Sequence, residues 1–362
     1  MRLIIRYISF ILAVLLLIQC EKEEPEPEPP EEFRIIDGNF LNILATNGFD
    51  KNNDRFIDSD EALAIEYLYI DSCNIFSLSG IQNFVNLKEL SCQYNDISTL
   101  DISYNSKLEK LYCNNNQLTS IILKNNLWLF YLYCNDNQLS YLKVSEAKNL
   151  RKLHCENNSI SYLEISNNYS MDEIDCADNQ MLNLEISCDP PLEYLDCSSN
   201  MIWSLHIPDN GCLLQLYCDS NRLHSLRVSD CIDLEILDCC WNEIRTLDVS
   251  NSTVLKYLYC GRNQLTTLDV SNNTALQELV CFQNQLTTLD LSNNIFLKYL
   301  NCNHTHLTSL DLSHNTSLEN LFLYNVPFLY EVCVWTLPFP PEGVEVDTGG
   351  SPNVFFTTDC SE

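Results

Sequence analysis

Glycine is scarce in this chain, 8 of 362 residues, and basic side chains are heavily outnumbered, 20 lysines and arginines against 50 aspartates and glutamates. So few glycines leave no glycine-rich loop to cradle a phosphate. Neither a GxSxG elbow nor an HExxH helix is spelled anywhere. Those routes to catalysis are excluded, and the expectation is that the protein is not an enzyme. A formal charge of −30 would repel a phosphate backbone, which excludes a nucleic-acid partner and leaves room for a basic protein.

What the chain does have is a clock. Cys92, Cys113, Cys134, Cys155, Cys176, Cys197, Cys218, Cys239, Cys260, Cys281 and Cys302 stand 21 residues apart with no insertion or deletion. A fixed period of this size means that each repeat is one coil of a solenoid, unable to bury its apolar face until a neighbour stacks on it. Around Cys113 the unit runs Leu108, Leu111, Cys113, Asn116, Leu118, Ile121, Leu123; around Cys260 it runs Leu255, Leu258, Asn263, Leu265, Leu268, Val270. The short alternation at Leu111 and Cys113 has period two, so these point inward while Lys110, Tyr112 and Asn114 point out.

The spelling LxxLxCxxNxLxxLxLxxxxx resembles the leucine-rich repeat family in its short bacterial form, from roughly Tyr67 to Asn325. The resemblance implies a leucine-rich repeat solenoid, a β-rich horseshoe with a parallel sheet on its concave face and little helix on the convex one. The expected organisation is a signal segment (1–20), a tether (21–32), an N-terminal cap (33–66), the solenoid (67–326) and a C-terminal cap (327–362).

Stacking places the eleven sulfurs in one internal column. Directly superposed side chains point the same way, an odd number cannot all pair, and metal ligands must converge on a point, so these thiols are expected to be free core fillers. Asn95, Asn116, Asn137 and their counterparts to Asn284 form a second column, suited to satisfying backbone groups where the chain leaves the strand. Cys73 replaces the asparagine in the first coil and Cys240 falls on an outward strand position; both are expected to be free. Cys333 and Cys360, outside the register, bracket the Pro/Gly-rich stretch Leu337–Pro352 and are candidates for a disulfide closing the cap. Among Cys188, Cys212 and Cys231 one pair could bridge, and the sequence does not say which.

Arg2 and Arg6 precede the apolar run Tyr7–Ile18, too short for a comfortable membrane span and typical of a secretory signal. Leu17-Ile18-Gln19-Cys20 resembles a bacterial lipobox, with Gln19 where a small residue is usual; the resemblance implies acylation of Cys20. Glutamates and prolines to Glu32 follow as an extended tether. An acidic run after a lipidated cysteine resembles the export signal of Bacteroidetes surface lipoproteins, which implies a lipid-anchored protein exposed on the outer membrane.

Asp50 to Glu61 has the spacing of an EF-hand loop: oxygen donors Asp50, Asn52, Asp54, Asp58 and Glu61, with the carbonyl of Phe56 at the seventh position. Structural calcium is the expected cofactor. Arg55 departs from the pattern where glycine normally makes the sharp turn. Helical patterns flank the loop at Asn39–Thr46 and Ser59–Ile65.

In this family the outward strand positions line the inner curve. Here they include Tyr67, Tyr69, Tyr112, Tyr131 and Tyr133 at one end and Tyr257, Tyr259, Phe282, Tyr299, Phe322 and Tyr324 at the other. Glu173, Asp175, Tyr194, Asp196, Tyr217, Asp219 and Asp238 lie between. Aromatic wings around an acidic middle suit a protein partner, and an adhesive role follows naturally. Tyrosines could equally serve as stacking platforms for a glycan, or reflect nothing beyond strand propensity. His304, His306 and His314 form a minor candidate metal cluster, weighed against scattered solvent histidines.

Overall fold

The computed structural model describes residues 35–186, 192–207 and 212–360; Cys20, the tether and Cys188 lie outside them. Each repeat contributes a three-residue strand. In Tyr131–Tyr133 the central Leu132 is fully buried, and the tyrosines on either side are half-buried on the open face. Fourteen such strands, from Tyr67–Tyr69 to Glu345–Asp347, make one sheet in chain order. Pairing is parallel and in step, Leu111 on Leu132 and Leu132 on Leu153. Only the ends break step, where Tyr67 pairs with Glu89 and Asn320 with Glu345.

Behind the strands the eleven column cysteines are fully buried and free. Cys113 Sγ lies 3.4 Å from the Tyr133 carbonyl oxygen, and the sulfurs of Cys281 and Cys302 are 3.5 Å apart. Burial pushes the thiols of Cys134 and Cys218 well above their ordinary pKa, and the column cysteines act as small apolar fillers. Cys240 differs from expectation. It lies beyond the end of the strand Ile236–Asp238 and is a free thiol only 8% exposed, covered rather than open to solvent. Next in that column is Gly261, where a Cβ would sit 2.3 Å from the Phe282 ring, so the ring folds down over the sheet edge there. Cys231 is likewise a buried free thiol.

The asparagine column ties each coil to the one before it. Asn116 Nδ2 donates to the carbonyls of Cys92 (2.9 Å) and Cys113 (3.1 Å), while its Oδ1 accepts from Ile97 N (3.0 Å). Asn263 repeats this with Cys239, Cys260 and Ile244. In the first coil Cys73 does take the asparagine's place, and its own N–H is held by Asn95 Oδ1 at 3.0 Å. The residue before each asparagine is left-handed, with φ near 55° at Asn115, Asp136 and Asn157, a conformation that asparagine and aspartate tolerate.

A second asparagine column, Asn105, Asn126, Asn168, Asn273, Asn294 and Asn315, lines the returning side. Asn273 Nδ2 donates to Val249 O (2.9 Å) and Ser252 O (2.8 Å) of the preceding coil. These residues obey the same 21-residue spacing, so the signal was present in the sequence. The returning side is also more regular than expected. Short parallel strands pair there, as in Thr99–Asp101 with Ser120–Ile122 and Tyr141–Lys143 with Tyr162–Glu164, because the Leu-x-Val/Leu segment carries its own period-two alternation.

Both ends are covered. Helix α1 (Gly38–Thr46) is capped by the buried Asp37, whose Oδ1 accepts from Asn39 N and Phe40 N and whose Oδ2 accepts from Phe76 N (2.7 Å) and Ser77 N (3.1 Å). One carboxylate thus joins the cap to the first coil. Helix α2 (Ser59–Leu63) carries a capping box between Asp58 and Glu61. At the other end Glu345–Asp347 adds the last strand of the main sheet, and Phe355–Thr357 extends the returning row beside Glu331–Cys333. The cap is therefore a further coil without the repeat's spelling. A disulfide between Cys333 and Cys360, Cα atoms 5.4 Å apart, holds it.

Replacing Asn221 by alanine leaves the buried Ile202 N–H without its acceptor and removes one of the two amide donors that Cys197 O and Cys218 O each have, the others being Asn200 and Asn242. Urea unfolding should show a loss of about 1–3 kcal/mol.

Candidate functional site

Parallel stacking turns each outward sequence position into a column on the open sheet face. The column through the second outward position reads Tyr112, Tyr133, His154, Asp175, Asp196, Tyr217, Asp238, Tyr259, in register from strand to strand. Tyr112 and Tyr133 stack at 5.1 Å between ring centroids, and Tyr133 continues onto His154 at 4.6 Å. Tyr194 and Tyr217 meet at 5.8 Å, and Tyr299 and Phe322 at 5.3 Å. Tyr131, Tyr257 and Tyr299 occupy the neighbouring column, where Glu278 separates the last two. All of these side chains are half-buried.

The acidic middle is real but uneven. Glu173 is tied up: Lys152 Nζ and His154 Nε2 (2.7 Å) both bond its carboxylate. Burial pushes Glu173 up, yet these two partners outweigh that and hold it below the usual carboxylate range. Asp175, Asp196 and Asp238 each accept from the N–H two residues on, at 3.2, 2.9 and 3.0 Å. Their side chains therefore also close the turn off the strand. Burial, reinforced by neighbouring carboxylates, raises Asp175, Asp219 and Asp238 above their ordinary values. The same causes push Glu156 up to about 7. Lys152, His154 and Glu156 do not stand out in the sequence beside the tyrosines and aspartates; the available signal is their 21-residue alignment with Glu173, Asp175 and Ala177.

In the Asp50–Glu61 loop, Asp50 and Glu61 are buried while Asn52, Asp54, Phe56 and Asp58 are exposed. The carboxylates bond the loop's own amides: Asp50 Oδ2 accepts from Arg55 N (2.9 Å), Asp54 Oδ1 from Phe56 N (2.8 Å), and Glu61 from Lys51 N and Asp58 N. Arg55 has φ 63°, the left-handed conformation that glycine supplies in this loop type. The oxygen-only donor set suits calcium, although three of its carboxylates do not yet converge within 4.8 Å. The three histidines do not gather either: His304 bonds Asn325, His306 packs on Phe328, and no metal-holding trio among the described residues includes them.

No family model and no curated protein matches the chain. Solved structures do. The functional domain of InlJ from Listeria monocytogenes, described as including a cysteine ladder, aligns at 31% identity with a TM-score of 0.73, over 82% of this chain and 65% of that one. The chain thus spans just under two thirds of that domain. YopM of Yersinia pestis, a leucine-rich effector protein, aligns at 21% identity and TM-score 0.56 over 88% and 99% of the two chains. A leucine-rich repeat protein of Leptospira interrogans aligns at 19% and 0.52, over 83% and 97%. The fold is a leucine-rich repeat solenoid. This chain likewise carries a buried column of cysteines, from Cys92 to Cys302.

The strip on this leucine-rich repeat face sets the sign of a pH effect. Glu156, whose folded pKa is raised to about 7, binds more protons in the native state, so its contribution to stability falls as pH rises from the unfolded value, about 4, to about 7. In metal-free buffer the melting temperature should fall between about pH 5 and about pH 7. Glu156→Gln should flatten the slope; an unchanged slope would place the effect elsewhere.

Proposed function

We propose that this chain is a non-catalytic surface lipoprotein whose open sheet face binds a protein partner carrying basic groups, in an adhesive role. The observation that carries the reading is the run Tyr112-Tyr133-His154 beside Asp175, Asp196 and Asp238. It offers large rigid contact area next to carboxylates that few cations answer. Leucine-rich repeat architecture supports a scaffold for protein interaction, and none of the neighbouring structures above is described as an enzyme. A glycan-binding face is less well supported. A sugar needs a bare ring face, whereas Tyr112, Tyr133 and His154 turn theirs to one another.

Arg2, Arg6, the apolar run and Cys20 support export and a lipid anchor on the outer membrane, with Glu21–Glu32 as the spacer. No helix among the described residues is long and apolar enough to cross a membrane.

Capture of surface proteins by the full chain should weaken as salt is raised and should drop at least tenfold in affinity for Asp196→Asn/Asp219→Asn, measured by surface plasmon resonance. Capture unaltered by those changes and by Tyr133→Ala would remove this face from the account.

Calcium in the Asp50–Glu61 loop is the second part of the proposal. Its support is the left-handed Arg55 and the buried pair Asp50 and Glu61. Bound there, the ion would fix the N-terminal cap and carry no chemistry. Calcium at about 100 times its dissociation constant should stabilise the cap by about 2.7 kcal/mol, and Glu61→Gln should abolish the gain in a thermal melt.

A further inference from the structure

At the junction of the aromatic run and the acidic strip, His154, Glu156 and Asp175 bring one ring nitrogen and two carboxylates to within 4.8 Å of one another. His154 is oriented by Glu173, whose Oε1 lies 2.7 Å from Nε2. In the tautomer whose Nε2–H donates to that carboxylate, Nδ1 carries a lone pair on the other side of the ring. A carboxylate that fixes the tautomer of a histidine in this way is the usual outer partner of a metal-ligating ring.

What Nδ1 faces is Glu156 Oε2, 3.9 Å away. That gap is too long for a hydrogen bond, and it is about half an ångström wider than the roughly 3.4 Å that separates two ligands on a tetrahedral ion with bonds of about 2.0–2.2 Å, a difference that a small side-chain rotation closes. Glu156 Oε2 is shut off from solvent and has no hydrogen-bond partner. Asp175 joins from the next coil, its Oδ1 taken by Ala177 N and its other oxygen uncommitted to any hydrogen bond. Among the described residues no lysine or arginine pairs with Glu156 or Asp175, and Lys152 is occupied by Glu173. Two carboxylates and a lone pair therefore point at one place with nothing positive between them.

We propose that His154, Glu156 and Asp175 form a divalent transition-metal site on the open sheet face, taking zinc or manganese. Two carboxylates neutralise the ion, and one imidazole with oxygen donors suits both metals. The remaining coordination positions open onto the face, where a partner's side chain or water completes them. Two consecutive coils supply the ligands, so the ion also clamps the stack. The site is separate from the calcium loop and does not depend on the adhesive reading.

The test uses the full chain, dialysed against zinc or manganese in the presence of calcium so that the Asp50–Glu61 loop is not counted. One equivalent should be retained, with X-ray absorption showing a nitrogen and oxygen shell containing a single imidazole. His154→Asn and Asp175→Asn should each weaken retention at least tenfold while circular dichroism stays unchanged. No retained ion, equal retention by folded His154→Asn, or sulfur in the first shell would each overturn the proposal. Should the variants fail to fold, the wild-type absorption spectrum decides by itself.

Discussion

The amide of one asparagine per coil is the contact on which the solenoid rests. A chain turning off a strand every 21 residues frees carbonyls and N–H groups inside the stack, and leaving one unpaired costs about 1–3 kcal/mol. Asn116, Asn263 and their counterparts answer this with both ends of the amide at once, donating to two cysteine carbonyls and accepting from an N–H of the preceding coil. Because partners come from adjacent coils, each asparagine sets the spacing of its neighbours. The exact repeat length follows: an inserted residue would move a donor off its acceptor.

Small side chains must then fill the space beside the amides, and this is where the thiols belong. A cysteine has the volume for a stack about 4.8 Å apart and needs no partner beyond a nearby carbonyl. The second column from Asn105 to Asn315 performs the corresponding service on the returning side. At the N-terminal end of the described residues, ahead of the first coil, Asp37 takes over with a carboxylate that four N–H groups share.

With its interior fixed in this way, the solenoid is free to vary its outward columns. The same register that aligns leucines also forces Asp175 against Asp196 and Tyr133 against His154. Like charges held side by side and half-buried rings cost stability, and a face that only had to pair strands could have carried threonine or valine. Asp175 and Asp238 soften this by closing turns, which gives them a local use alongside any partner.

The cysteine clock, the inner asparagines and the EF-hand spacing were legible in the sequence because each depends on neighbours at a fixed chain distance, and periodicity records such distances directly. The sequence alone determined the parallel stack, the burial of the eleven thiols and the identity of the face that looks outward. Only the tertiary structure decided how side chains on that face meet. Glu173 is matched by Lys152 and His154, Glu156 Oε2 is left without a hydrogen bond, and Phe282 covers Gly261. These outcomes turn on rotamers and on contacts between coils, where several residues compete for the same space and charge, and no repeat pattern encodes the winner.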